Sequence, residues 1–126
     1  MLFDRTHHIA IIASDYRRAR EFYVEKLGFP VLRENFREDR GDWKLDLQFG
    51  DRELELFVIP GAPPRPSYPE ALGLRHLAFQ VDDIDAAVQE LSARGIACEP
   101  VRLDPCSGRR FTFFHDPDDL PLELHE

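Results

Sequence analysis

The chain repeats itself. The stretch His7-His8-Ile9-Ala10-Ile11-Ile12-Ala13-Ser14-Asp15 returns later as Arg75-His76-Leu77-Ala78-Phe79-Gln80-Val81-Asp82-Asp83. In both, a histidine precedes an apolar run and an aspartate follows seven residues after it. A helix-like pattern comes next, Tyr16 to Leu27 and Ile84 to Arg94, closed by Gly28 and Gly95. Each half then carries a Leu-Glu-Leu strand, so that Glu55 follows His8, and Glu123 follows His76, by the same 47 residues. A repeat of near half the chain length indicates two copies of one supersecondary unit rather than a solenoid.

Modules of roughly sixty residues are marginal alone, whereas a chain of 126 residues can bury a real core. Residues 1–126 are therefore expected to form one domain around a shared core. Hydrophobic residues make up 43% and ten residues are Phe, which suits a folded globule. The formal net charge of −8 argues against nucleic acid or an anionic membrane as partner, since both demand a basic surface. Cys98 and Cys106 make no disulfide framework. No segment approaches the ~20 apolar residues of a membrane span and the N-terminus has no apolar signal region, so a cytoplasmic protein is expected.

The pattern predicts a strand over His7 to Ala13, then a helix capped by Ser14 or Asp15 and stopped by Gly28. Strands follow at Phe29 to Phe36, Trp43 to Phe49 and Glu53 to Ile59, the last two joined by a hairpin around Gly50-Asp51. Five of the ten prolines fall between Pro60 and Pro69, which excludes a regular helix or central strand. This divides a first module, about 5–60, from a second, about 74–126, through a linker of about 61–73. The second module is predicted as strand Leu74 to Val81, helix Ile84 to Arg94, and strands Ile96 to Leu103, Arg110 to His115 and Leu120 to His125. The class is α+β, with two βαβββ modules.

Side chains alternate across a strand, so parity sorts the polar groups into faces. His8 shares a face with Ala10 and Ile12, opposite Ile9 and Ile11. Glu55 shares one with Phe57, opposite Leu54, Leu56 and Val58. His76 and Glu123 obey the same parity. If each helix covers the fully apolar face, His8, Glu55, His76 and Glu123 project from the concave one into a shared cup. Four such groups need a partner, and a divalent metal satisfies all of them at once. Two imidazoles and two carboxylates suit Zn²⁺, Ni²⁺, Co²⁺, Mn²⁺ or Fe²⁺. Asp15 and Asp83 read as helix caps, and His7, His115 and His125 as structural or solvent-facing.

With these residues in place the chain resembles the vicinal oxygen chelate superfamily, the glyoxalase and bleomycin-resistance group, and within it the small bacterial YaeR-like proteins. The resemblance rests on His8-Ile9-Ala10-Ile11, Phe22-Tyr23 with Leu27-Gly28-Phe29, Glu55-Leu56, Arg75-His76-Leu77-Ala78-Phe79, and Phe114-His115-Asp116-Pro117-Asp118 leading to Leu122-Glu123-Leu124. It implies a curved, cup-forming mixed sheet. It also implies that His8, Glu55, His76 and Glu123 occupy the four metal-ligand positions of glyoxalase I, with Zn²⁺ or Ni²⁺ favoured. Asp119 departs from the pattern, which often has Gly there.

What the resemblance implies chemically is a glyoxalase I-like lyase or isomerase that moves a proton next to a metal-chelated carbonyl. Glu123 is then the base and Glu55 a ligand or second proton carrier. Arg37, Trp43, Lys44, Phe57, Arg109 and Arg110 are the candidate substrate contacts. The alternatives are an Fe²⁺-dependent dioxygenase and a binding protein that sequesters a small molecule. A homodimer is expected, since each module leaves sheet edges to cover.

Overall fold

Alternation of buried and open positions organises both halves of the computed structural model, which describes residues 1–126. Two compact units are present, Met1–Pro63 and Pro64–Glu126. Each contains one four-stranded mixed sheet with a helix between its first and second strands. The class is α+β, and the order in each unit is βαβββ. No helix is long and apolar enough to cross a membrane.

In the first unit the elements are β1 (His8–Ala13), α1 (Tyr16–Arg20), β2 (Val31–Arg37), β3 (Asp42–Phe49) and β4 (Arg52–Val58). The sheet order is β1-β4-β3-β2, with β1 parallel to β4 and the other pairs antiparallel. Asp15 caps α1, its carboxylate accepting from the Arg18 N–H at 2.8 Å. The helix widens into a π-helical segment at Glu21–Lys26, where the Leu27 N–H reaches the Phe22 carbonyl at 2.9 Å. Phe22 and Tyr23 are buried there. Leu54, Leu56 and Val58 of β4 join Ile11, Ala13, Leu45 and Leu47 in the core. Gly50, at φ +58°, makes the two-residue turn between the paired Phe49 and Arg52 possible.

The second unit comprises β5 (Leu77–Gln80), α2 (Ile84–Ala93), β6 (Arg102–Leu103), β7 (Arg110–His115) and β8 (Pro121–His125), in the order β5-β8-β7-β6. Again the first strand is parallel to the last. Asp83 caps α2 by accepting from the Ala86 N–H. Ile84, Leu91, Ile96, Phe114, Leu122 and Leu124 are buried with Thr112.

Two strands are shorter than their sequence pattern predicts by more than two residues at an end. The strand expected from Leu74 begins only at Leu77, because the Arg65 guanidinium donates to the carbonyls of Leu74 and Arg75 in place of a neighbouring strand. The strand expected over Ile96 to Leu103 reduces to Arg102–Leu103. Pro100 cannot donate to a ladder. Isolated bonds hold this edge instead, from the Glu99 N–H to the Phe113 carbonyl and from Thr112 Oγ1 to the Glu99 carbonyl.

Candidate functional site

Strand register explains how each histidine meets its glutamate. On the face opposite the core, Ala10 of β1 pairs with Glu55 of β4, and Ala78 of β5 pairs with Glu123 of β8. Each histidine stands two residues before its alanine, on the same face and diagonal to the glutamate. Long side chains bridge such diagonals.

In the first unit His8 Nε2 lies 3.3 Å from Glu55 Oε2. Here the histidine ring is partly open, contacts His7 edge-on, and the Glu55 side chain is 14% exposed. The other oxygen, Oε1, accepts from Lys44 Nζ at 3.0 Å. Lys44 also lies 3.0 Å from Asp46 Oδ1, an oxygen sealed from solvent that takes no aligned hydrogen bond and is neutralised by this ammonium. Asp46 Oδ2 accepts from Arg33 Nε at 2.8 Å, and Arg33 reaches Glu53 at 2.6 Å. Burial alone would push the Asp46 carboxyl up, but Arg33 and Lys44 together hold it below the usual range. The Lys44 ammonium is held above its ordinary value, by Asp46 first, against burial, and by Glu55.

In the second unit His76 Nε2 lies 2.7 Å from Glu123 Oε2, and Glu123 is 8% exposed. The His76 ring stands edge-on to Phe113, centroids 5.2 Å apart. Both residues line a cavity of about 410 Å³, together with Arg75, Arg102, Phe111 and Phe113. Arg102 lies over the rings of Phe111 and Phe113, at 5.2 and 5.8 Å, an arrangement that favours the cation electrostatically.

An imidazole nitrogen and a carboxylate oxygen this close must share a proton or a cation, because two lone pairs facing each other repel. Each pair's nitrogen and oxygen set therefore fits a divalent metal such as Zn²⁺ or Ni²⁺. Asp46, Glu53 and Glu55 also bring one oxygen each within 4.8 Å of one another, but Arg33 and Lys44 are paired with all three and offset two of their charges.

The candidate substrate contacts fall in varied surroundings. Arg37 is forked onto Asp42 at 2.6 and 2.7 Å and lies over the Phe57 ring. Trp43 packs against Tyr16 and Phe36. Lys44 is engaged by Glu55 and Asp46. Arg109 is exposed, and Arg110 is held by Glu126 and Asp85. Neither Arg109 nor Arg110 lines the cavity of the second unit, whereas Arg75, Arg102, Phe111 and Phe113 do. Parity along β7 carried that signal, since Phe111, Phe113 and His115 alternate with the buried Thr112 and Phe114.

Paired βαβββ units, each bringing a histidine at the start of its first strand against a glutamate of its last, define a class of repeat proteins with histidine and glutamate pairs on the sheet face opposite the core. The chain belongs to the Glyoxalase/Bleomycin resistance protein/Dioxygenase superfamily, whose family model matches residues 5–124. It is 58% identical to the YwkD protein of Bacillus subtilis (strain 168), over 100% of this chain and 99% of that protein. It is 56% identical to the YaeR protein of Escherichia coli (strain K12), over 97% and 95%. The structure matches that of a glyoxalase family protein from Enterococcus faecalis with a TM-score of 0.96, at 57% identity and full coverage of both chains. A relative of stated activity, the 2-epi-5-epi-valiolone epimerase of an Actinomyces species, is 31% identical over 94% of this chain and 76% of its own. Members of the superfamily usually bind a divalent metal, and they include metal-dependent enzymes.

Proposed function

We propose that the protein is a metal-dependent enzyme of glyoxalase I type, a lyase or isomerase that transfers a proton next to a carbonyl of a small oxo compound. The observation that carries this reading is the His76 Nε2 to Glu123 Oε2 approach of 2.7 Å in the wall of a cavity large enough for a small molecule. The His8 and Glu55 pair repeats it. In this reading His8 and Glu55 of the first unit and His76 and Glu123 of the second are metal ligands, and Zn²⁺ or Ni²⁺ suits such nitrogen and oxygen donors best. The working form is a homodimer.

When bound, such a metal polarises the substrate carbonyl and makes the neighbouring C–H more acidic. Glu123, nearly buried and beside Phe113, takes that proton on a carboxylate oxygen and returns it at the adjacent carbon. Glu55 stays a ligand. The epimerase relative and the family's glyoxalases make proton transfer the natural chemistry to assay.

The test is metal analysis of the purified protein, followed by an assay of methylglyoxal with glutathione and other thiols. Bound Zn²⁺ or Ni²⁺ and turnover lost in Glu123→Gln is the expected result. Bound Fe²⁺ with oxygen uptake would move the assignment to a dioxygenase. A protein that takes up no metal but retains a small molecule would move it to sequestration. Full turnover in Glu123→Gln would overturn the role of that carboxylate.

A further inference from the structure

The two histidine and glutamate pairs share one register but have different neighbours. In the first unit Glu55 pairs with Asp46 across β3 and β4, and Phe57 pairs with Lys44. At the matching places of the second unit, Glu123 pairs with Phe113 and His125 with Phe111. Where β7 sets two phenylalanines beside its glutamate strand, β3 sets an ammonium and a carboxylate.

We propose that Lys44 is a positioning residue for Glu55, an inference that rests on the metal reading above. Lys44 Nζ holds Oε1 at 3.0 Å while Oε2 faces His8, so the ammonium fixes the plane of the carboxylate and leaves one oxygen to a metal. Hydrogen bonds to a ligand carboxylate of this kind orient it and tune its metal. Lys44 is itself anchored by Asp46, which Arg33 ties to Glu53. The same two cations keep Asp46, Glu53 and Glu55 from acting as an all-oxygen site, which would suit a harder ion such as Mn²⁺ or Ca²⁺. Glu123 has aromatic rings in place of this pair, with His76 as its ion-pair partner. The repeat thus yields one carboxylate held by an ammonium and one set among aromatic rings.

Co²⁺ is the probe, because its visible spectrum reports coordination without any substrate. Replacing Lys44→Met together with Asp46→Asn removes the ammonium and its counter-charge at once, so local charge is conserved and only positioning is lost. The expected result is Co²⁺ affinity weakened by about tenfold or more, with an altered visible spectrum. Lys44→Arg should keep the spectrum of the unmodified protein. Wild-type affinity and a superimposable spectrum in the double variant would overturn the proposal. If that variant does not fold, Lys44→Met alone serves, because its side chain has no donor, and an unchanged Co²⁺ spectrum there overturns the proposal equally. Glu55→Gln and His8→Ala separate the two readings: if neither alters Co²⁺ stoichiometry or spectrum, the metal reading itself fails.

Discussion

His76 and Glu123 touch although they are not register partners: Ala78 occupies the place directly opposite Glu123, and the imidazole reaches past it. Ala10 stands in the same relation to His8 and Glu55. A methyl group at each of these exposed positions leaves the diagonal open. Ala78→Leu should therefore separate His76 from Glu123 without deleting either, and lower divalent-metal affinity by about 10–100-fold, as loss of a supporting contact does. Isothermal titration with Zn²⁺ checks this, with the melting temperature near that of the unmodified protein because the position is solvent-facing.

Arg102 lines the cavity over two aromatic rings, with Glu99 3.6 Å from its guanidinium. That partner is too distant for a strong hydrogen bond, which leaves the guanidinium able to receive an anionic substrate group. Arg102→Gln is expected to raise KM several-fold for a carboxylate-bearing substrate while kcat changes little, the signature of lost uniform binding. Steady-state kinetics on charged and neutral substrates distinguishes the two.

Glu126 joins α2 to β7. Its carboxylate accepts from Arg110 at 2.7 Å and from the Ile84 N–H at 3.2 Å, and these bonds, Arg110 first, hold its pKa below the ordinary glutamate range. A carboxyl depressed in the folded state contributes stability above its unfolded pKa of about 4.3, and that contribution disappears as pH falls through the lower folded value. Thermal melts of Glu126→Gln should show a lower Tm than the unmodified protein at pH 7 and a smaller difference by pH 3. An equal difference at both pH values would contradict the linkage.

Asp119 is the one non-glycine residue with a positive φ, +68°. Its turn is held from Asp116, whose Oδ1 accepts from the N–H groups of Asp118 and Leu120 at 2.9 Å. Left-handed backbone costs an L-residue about 1–2 kcal/mol, somewhat less for Asp. Asp119→Gly should leave stability unchanged or slightly raised, and Asp119→Val should lower it by about 1 kcal/mol or more. Asp116→Ala, which orphans two donors beside a buried side chain, should cost about 1–3 kcal/mol. Urea denaturation measures all three.

Much of this was legible in the chain itself. The equal spacing of His8 to Glu55 and His76 to Glu123 marked the repeat, and parity placed each glutamate opposite its strand's leucines, as the burial of Leu54, Leu56, Leu122 and Leu124 shows. The aspartates at the starts of both helices cap them. Less was legible where a side chain from elsewhere took over a backbone group, as Arg65 does for Leu74 and Arg75 ahead of β5. Nor did local pattern reveal the π-helical widening at Glu21–Lys26.

Which residues share a face follows from the chain alone, because side-chain alternation is a property of one strand and requires no neighbour. Which residue stands opposite which was set in the folded molecule, because register depends on how separate strands pack and on the turns that join them. That is why the likeness of Glu55 to Glu123 could be read along the chain, while the lysine beside one and the phenylalanine beside the other emerged only once β3 and β7 were paired.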